Sequence, residues 1–298
     1  MSERNWTLPI LACVIACVIG LSEYVTREEK KSGPVEIVYW EKWTNFEGDA
    51  IRAVVDEFNR SQDKIHVKLL TVSGIENKTL LAIAGGNPPD LAGLYGPNVP
   101  QYADANAVIQ LDEYCSRNGI RAQNYIRPYW DIGLIRNHIY SLPTAPASTV
   151  LHYNRTLLKK AGYDPDKPPQ TIEELSEISD KMVEKDPSGH IKVAGFLPAE
   201  PGWWNWVWGY IFGGRLWDGE SKITANSEEN VRAFEWVQSF SKKYGNRDVQ
   251  TFRSGFGTFA SPQNAFLSEK VGMELQGVWM YNFITQYSPK LNWAAVPF

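Results

Sequence analysis

The chain has 298 residues, of which 43% are hydrophobic and 21% are charged, and its formal net charge is −4. This composition is typical of a globular protein with a sizeable core, long enough for one large or two modest domains. A negative net charge gives no excess of basic residues to bind phosphates, so it argues against nucleic acid as a partner. The three cysteines and four histidines show no metal-ligand spacing, and no motif predicts a metal or a cofactor.

The first 33 residues are predicted to form an export signal or an anchor, followed by a linker. Residues 5–22 carry no formal charge, and the apolar run at 11–21 has the length of a signal peptide. Cys13 and Cys17 each loosely resemble a lipoprotein processing site, so a cleaved signal, a lipid anchor and an uncleaved anchor stay open. The protein is therefore expected to be exported, either periplasmic or anchored to the outer face of the cytoplasmic membrane.

Residues 34–145 are predicted to form a first α/β domain. Strands are expected over 35–40, 65–72 and 91–94, with helices over 50–59 and 79–84 between them. This alternation implies a parallel sheet with helices on its faces. The joint to the next domain is expected near Pro143 to Ala147, where two prolines interrupt the pattern.

Residues 146–298 are predicted to form a second α/β domain. The pattern favours strands over 148–153, 193–197, 271–275 and 293–296. Helices are expected over 156–162, 171–184, 201–212, 228–244 and 262–267. Thr171 is the expected N-cap of the second of these helices, with Glu174 completing a capping box.

Three short motifs stand in a characteristic order along the chain: a Gly-x-x-Pro-Asp element ending at Asp90, the run Ile139 to Pro143, and the string Met273 to Trp279. Together they resemble the extracellular solute-binding proteins of sugar ABC importers, the group that includes maltodextrin-binding proteins. The resemblance implies a two-lobed α/β fold of the periplasmic-binding-protein type II class, with a ligand cleft between the lobes. It also implies a monomeric, non-enzymatic receptor that captures a carbohydrate, such as an oligosaccharide, and delivers it to ABC permease subunits.

Sugar recognition needs flat aromatic faces for the C–H face of a pyranose ring, and carboxylates or amides for its hydroxyls. Open α/β sheets place such groups in loops at the carboxyl ends of strands. With the resemblance, this rule implies ligand contacts by the following residues: Glu41, Trp43, Tyr95, Glu200, Trp203, Trp204, Gly277 and Trp279. Gly277 is expected to let the backbone approach the ligand closely. Trp204 and Trp208 would share one face of the helix at 201–212, and Trp208 is expected to belong to the core.

Two rival functions stay open at this point. A secreted glycoside hydrolase needs two carboxylates roughly 5–10 Å apart, and Glu41, Glu200 and Glu274 are candidates by residue type. A receptor of the same fold could instead bind a non-sugar solute, such as a polyamine or iron, although the 12 tryptophans favour sugar.

The length of the chain departs from the family pattern. In relatives, the strand matching the one at 293–296 is followed by a return segment that completes both lobes. The resemblance therefore implies a chain truncated at its C-terminus, with two incomplete lobes.

Overall fold

The computed structural model describes residues 33–202 and 205–298, and it divides the chain into two units that part between Thr144 and Ala145. The predicted joint near Pro143 to Ala147 includes this bond. The predicted signal or anchor, with Cys13 and Cys17, lies outside the described residues. Within the described ranges, no helix combines the length and the apolar character that a membrane span requires.

The N-terminal unit is built on a three-stranded parallel sheet. Its strands are β1 (Val35–Glu41), β2 (Ile65–Thr71) and β3 (Leu91–Ala92), in the order β2-β1-β3. The helices α1 (Asn45–Ser61) and α2 (Ile75–Ala84) connect them. The predicted alternation and parallel pairing are confirmed. Because parallel strands end at one edge, the residues that follow β1 and β3 lie close together.

Shorter elements complete this unit. They are the helices α3 (Val99–Asp104), α4 (Asp112–Arg117) and α5 (Arg127–Ile132), and the antiparallel pair β4 (Leu134–Ile135) and β5 (His138–Ile139). Tyr102 of α3 is completely buried, and its hydroxyl donates a hydrogen bond to the carbonyl of Glu76 in α2. This bond links α3 to α2.

The C-terminal unit contains a five-stranded mixed sheet. Its strands, in the order β10-β6-β9-β8-β7, are β6 (Thr149–Asn154), β7 (Glu184–Lys185), β8 (Ile191–Phe196), β9 (Val271–Gly277) and β10 (Trp293–Val296). Only β8 and β9 pair in parallel among these strands. The helices are α6 (Arg155–Lys160), α7 (Ile172–Met182), α8 (Val207–Ile211), α9 (Glu228–Tyr244), α10 (Asn246–Arg253) and α11 (Met280–Tyr287).

The predicted cap of α7 is confirmed. The backbone N–H of Glu174 donates to the hydroxyl of Thr171 at 3.2 Å. The Glu174 carboxylate accepts in return from the backbone N–H of Gln170 at 2.7 Å, one residue before the position that a standard capping box uses. The first bond satisfies an N–H group that the first turn of the helix leaves without a partner.

Two predicted helices differ from the structure: the one over 201–212 is shorter than expected, and the one over 262–267 is absent. Helix α8 spans only Val207–Ile211, and Gly202, near the predicted start, has a φ of 96°, which an α-helix does not use. Trp204 lies outside the described residues, so its predicted place on one face with Trp208 stays a prediction. Residues 262–267 form turns instead of a helix. There the Asn264 side chain accepts hydrogen bonds from the backbone N–H groups of Phe266 and Leu267, at 2.8 and 3.1 Å, which competes with helical bonding.

The prediction that Trp208 belongs to the core is confirmed. Its side chain is 1% exposed, and its indole N–H donates to the carbonyl of Pro198 at 3.0 Å. The ring lies 4.9 Å from Trp236 and 5.8 Å from Phe196, measured between centroids. The rings join α8 and α9 to β8.

We expect Trp208→Ala to lower the free energy of unfolding by about 3–5 kcal/mol, because it removes a buried aromatic side chain and leaves a cavity. Chemical denaturation of the full chain measures this change. Trp206→Ala is the matched control, since Trp206 is 48% exposed, and its change should stay within about 1 kcal/mol. Equal losses in the two variants would place Trp208 outside the stabilising core.

A histidine lies inside the sheet of the C-terminal unit. His152 of β6 is 2% exposed, and its ring stacks on Trp293 of β10 with 5.5 Å between centroids. Burial lowers the pKa of His152 to about 4, although its Nδ1 lies 3.2 Å from the carbonyl of Val150, which opposes the shift. The folded protein therefore holds this imidazole neutral.

The stability of the protein should fall as the pH drops from about 6.5 to 4. The unfolded chain takes up the His152 proton first, since an unperturbed histidine has a pKa near 6.5. We expect a loss on the order of 2 kcal/mol from this group between pH 7 and pH 4.5. Denaturant titrations of His152→Phe should show a smaller acid loss than the wild type, whereas the exposed-site control His66→Phe should keep the full loss. Parallel pH profiles for all three proteins would contradict this assignment.

Candidate functional site

In the N-terminal unit, Lys42 joins three of the residues predicted to bind ligand. Its ammonium group lies 3.2 Å from a carboxylate oxygen of Glu41 and donates to the carbonyl of Gly93 at 3.1 Å. It also lies 4.4 Å from the ring centroid of Trp43 and 4.6 Å from that of Tyr95. The structure thus brings Glu41, Trp43 and Tyr95 together. We call this set, with Lys42, the Lys42 cluster.

Glu41 is the buried anchor of the Lys42 cluster. Its side chain is almost fully buried, and its two oxygens accept from the Tyr39 hydroxyl at 2.6 Å and the backbone N–H of Lys42 at 2.8 Å. A Cβ on Gly93 would lie 1.9 Å from the carboxylate, so only glycine leaves it room. The carboxylate is held by donors of the protein itself, and its predicted contact with ligand stays a prediction.

The exposed side of the Lys42 cluster is aromatic and acidic. Tyr95 is 53% exposed, whereas Trp43 is half-buried. Burial raises the pKa of Tyr95, and the charges of three carboxylates, Glu76, Glu47 and Glu41, raise it further. The carboxylates of Glu76, Glu47 and Glu41 therefore all lie near the Tyr95 phenol.

The C-terminal unit contains a cavity of about 300 Å³ near the carboxyl end of β8. Its lining combines carboxyl groups, aromatic rings and small residues: Glu200, Pro201, Phe256, Gly257, Thr258, Phe259, Asn264, Ala265 and Glu274. We call it the Glu274 cavity. It brings together two of the three candidate carboxylates of the hydrolase alternative, Glu200 and Glu274.

Glu274 is a buried carboxyl group in the middle of β9. It is 2% exposed, and one of its oxygens accepts from the Gln276 amide at 3.3 Å. The other oxygen, Oε2, has no hydrogen-bond partner within the described part of the chain. Burial, and to a lesser extent the charge of Glu200, raise the pKa of Glu274 to about 8, while the Gln276 bond opposes the shift. Most of Glu274 is therefore protonated at neutral pH.

Glu200, on the other wall of the Glu274 cavity, is paired with a cation. The guanidinium of Arg253, at the end of α10, donates to its carboxylate, and a second guanidinium nitrogen donates to the carbonyl of Ala199 at 3.3 Å. Both partners are largely buried, which limits the screening of the pair by solvent. Arg253 thereby neutralises Glu200 and fixes its position.

Trp279 follows β9 and stands at the start of α11, as a half-buried residue. Its indole N–H donates to the Gln276 side-chain oxygen at 3.0 Å, and the backbone N–H of Gly277 donates to the same oxygen at 3.1 Å. A Cβ on Gly277 would lie 2.3 Å from the Trp279 ring. The absent Cβ of Gly277 therefore makes room for this indole, and the predicted approach of ligand to the Gly277 backbone stays a prediction.

Three residues of these sites were missed by sequence reasoning: Lys42, Arg253 and Gln276. Arg253 bonds to Glu200 across 53 positions, and Lys42, besides its neighbours Glu41 and Trp43, reaches Gly93 and Tyr95; such distant contacts leave no local pattern. Gln276 had a usable signal, since it lies two residues from Glu274 on a strand and must share its face.

Two of the predicted ligand residues, Trp203 and Trp204, lie outside the described residues, and their roles stay predictions. Among the residues that are described, no group of three His, Cys, Asp or Glu side chains is placed to hold a metal ion.

Comparison with known proteins gives relatives that differ in what they bind. The chain is 23% identical over 300 residues to the sn-glycerol-3-phosphate-binding periplasmic protein UgpB of Brucella abortus, an alignment that covers 91% of this chain and 64% of UgpB. It thus spans less than two thirds of the length of that relative. The truncation expected at the C-terminus stays a prediction.

Solved structures share the fold. CpMnBP1 with mannotriose bound is 29% identical, with a TM-score of 0.78, and the match covers 88% of this chain and 68% of that chain. UgpB from Mycobacterium tuberculosis in complex with glycerophosphocholine is 18% identical, with a TM-score of 0.71 and coverage of 90% and 65%, and shows likeness of fold alone. These matches confirm the two-lobed α/β class expected from the sequence. The family model for bacterial extracellular solute-binding proteins matches residues 45–298, so the chain belongs to that family.

Proposed function

We propose that this protein is an extracytoplasmic receptor that binds an uncharged carbohydrate, foremost an oligosaccharide, and delivers it to an ABC importer without chemical change. The observation that carries the proposal is the pairing of aromatic rings with carboxyl or amide groups in each unit. Trp43 and Tyr95 accompany Glu41 in one unit, and Trp279 accompanies Gln276 in the other. Rings cover the apolar face of a sugar, and the polar groups bind its hydroxyls.

The charges of the two sites support a neutral ligand over a phosphate ester. Binding a phosphate group calls for cations or backbone N–H groups that are free to reach it. Lys42 is already paired with Glu41, and Arg253 is paired with Glu200. A ligand of the kind named for UgpB would therefore meet cations that carboxylates already neutralise. Mannotriose and mannobiose, bound in the solved structures of CpMnBP1, are the first ligands to test.

The hydrolase alternative receives less support. Glu200 and Glu274 line one cavity, as a catalytic carboxyl pair would, and Glu274 has the raised pKa of a general acid. The second carboxylate of such a pair must be available as a base or a nucleophile. Glu200 instead accepts hydrogen bonds from Arg253, an arrangement that suits binding better than turnover.

The proposal extends to the location and the partners of the protein. A receptor of this family works outside the cytoplasm, in the periplasm or held at the outer face of the cytoplasmic membrane. Cys13 and Cys17 are the candidate sites for a lipid anchor in the second case. We further propose that the protein is monomeric and that its partners are the permease subunits of the importer.

A ligand screen on the full chain tests the proposed function. We expect mannotriose, mannobiose or maltotriose to raise the melting temperature, since a ligand present at a hundredfold excess over its Kd stabilises the folded state by about 2.7 kcal/mol. Chromatography of the recovered sugar should show it intact.

The same screen contains the rival ligands. sn-Glycerol 3-phosphate should leave the melting temperature unchanged, and so should the polyamine spermidine. A shift with either of them and with no saccharide would overturn the proposal. Shortened oligosaccharide in the recovered ligand would favour the hydrolase instead.

Trp279→Ala should weaken saccharide binding by about 2 kcal/mol or more, roughly thirtyfold, because it removes an aromatic platform whose orientation Gln276 fixes. Isothermal calorimetry with the best saccharide of the screen measures the loss, and cooperative melting verifies that the variant folds. Trp217→Ala is the matched control, since Trp217 is exposed and belongs neither to the Lys42 cluster nor to the lining of the Glu274 cavity. Unchanged affinity in Trp279→Ala would assign Trp279 to packing alone.

A further inference from the structure

One residue that lines the Glu274 cavity, Glu274 itself, has a buried carboxyl oxygen to which no described protein group bonds. All seven residues of β9 are buried, and Glu274 Oε2 has no hydrogen-bond partner in the described ranges. A buried polar group without a partner costs about 1–3 kcal/mol of stability. A ligand group that enters the cavity and bonds to Glu274 would recover this free energy, so the atom marks a place where binding is favourable.

Burial, and to a lesser extent the charge of Glu200, keep Glu274 uncharged at neutral pH. His152 of β6 lies opposite it in the strand register and is neutral above about pH 5, because burial lowers its pKa to about 4. Glu200, after β8, contributes a negative charge and is bonded to Arg253 of α10. Within the described residues, no cation forms a salt bridge with Glu274. A protonated carboxyl group has one O–H to donate and still accepts at its other oxygen.

The size and the walls of the cavity indicate what could enter it. A volume of about 300 Å³ lies at the lower end of the range for small-molecule sites, which suits one sugar unit better than a chain of them. Phe256 and Phe259 supply apolar walls, and Thr258 supplies a hydroxyl. An amine would be bound less well than a hydroxyl, because a cation favours the ionised carboxylate that burial disfavours.

We propose that the Glu274 cavity is a subsite for one uncharged, hydroxyl-bearing unit of the ligand, which Glu274 binds by donating a hydrogen bond from its protonated carboxyl group. This inference rests on the proposed carbohydrate function and adds a specific contact to it. It makes binding depend on pH, because ionisation of Glu274 removes the donor and places a charge beside the ligand. The ligand is thereby selected for neutrality at this position.

Calorimetry on the full chain, using the best saccharide of the screen, tests the proposal between pH 6.5 and pH 9. Wild-type affinity should fall about tenfold, in proportion to the fraction of protein in which Glu274 is protonated. Glu274→Gln carries an uncharged donor of similar shape, so it should bind within about threefold of the wild type at pH 6.5 and show no such fall. Glu235→Gln, an exposed position on α9, is the control and should keep the wild-type pH profile.

A second pair of variants tests occupancy of the cavity without changing Glu274. Thr258→Trp places a bulky side chain at an exposed position of the lining and should weaken binding at least tenfold. Thr285→Trp, exposed on α11 and outside the lining, should bind as the wild type does. The melting temperatures of both variants verify that they fold.

The outcomes separate this inference from the proposed function. If no saccharide of the screen binds, both fail. Sugar binding that is independent of pH, or that Thr258→Trp leaves intact, overturns the subsite alone. Affinity for glucosamine that rises as Glu274 ionises would identify a site for a cation and would also overturn it.

Discussion

The burial of strand β9 is the constraint on which the C-terminal unit depends. Residues Val271, Met273 and Leu275 of this strand belong to the hydrophobic core of the unit. Because successive side chains of a strand point to opposite faces, covering both faces also buries Glu274 and Gln276. The amide nitrogen of Gln276 donates to Glu274, and its side-chain oxygen accepts from Gly277 and Trp279. Glu274 has a hydrogen-bond partner at one oxygen only. The other oxygen can still bond to a ligand, and this makes the cavity a candidate binding site.

The N-terminal unit treats a buried carboxylate differently. Glu41 is buried to the same degree as Glu274, yet the Tyr39 hydroxyl and the backbone and ammonium groups of Lys42 bond to it. Lys42, which bonds to Glu41, also lies over the rings of Trp43 and Tyr95, so Glu41 is a fixed anchor for both rings. Two glutamates that look equivalent in the sequence thus have different physical states, set by whether a cation lies within bonding distance.

Sequence patterns were sufficient for the strands β1, β2, β3, β6, β8, β9 and β10 and for the parallel pairing of β1, since these depend on local alternation and on chain order. They also placed Trp208 in the core. They missed the two-residue strands β4, β5 and β7. They failed over 262–267, where the side-chain bonds of Asn264 compete with the helix that the apolar spacing suggests, and at Gly202, whose positive φ is not helical. The long-range contacts that pair charges in the two sites could not be predicted from the sequence. Arg253 meets Glu200 across 53 positions, and no periodicity connects two such residues.

Each unit also reserves space for a site residue by means of a glycine. At Gly93 a side chain would occupy the position of the Glu41 carboxylate, and at Gly277 it would occupy that of the Trp279 ring. Both glycines lie at or just after the carboxyl end of a strand, where open α/β sheets form their binding sites. A glycine motif in such a position is easily interpreted as room for a ligand. In this protein the Glu41 carboxylate lies against Gly93, and the Trp279 ring lies against Gly277. Each glycine thus allows one orientation of a side chain that is predicted to bind ligand. The same reasoning explains why Gly277 and Trp279 occur within one motif: the ring needs the missing Cβ, and Gln276 holds the ring in place.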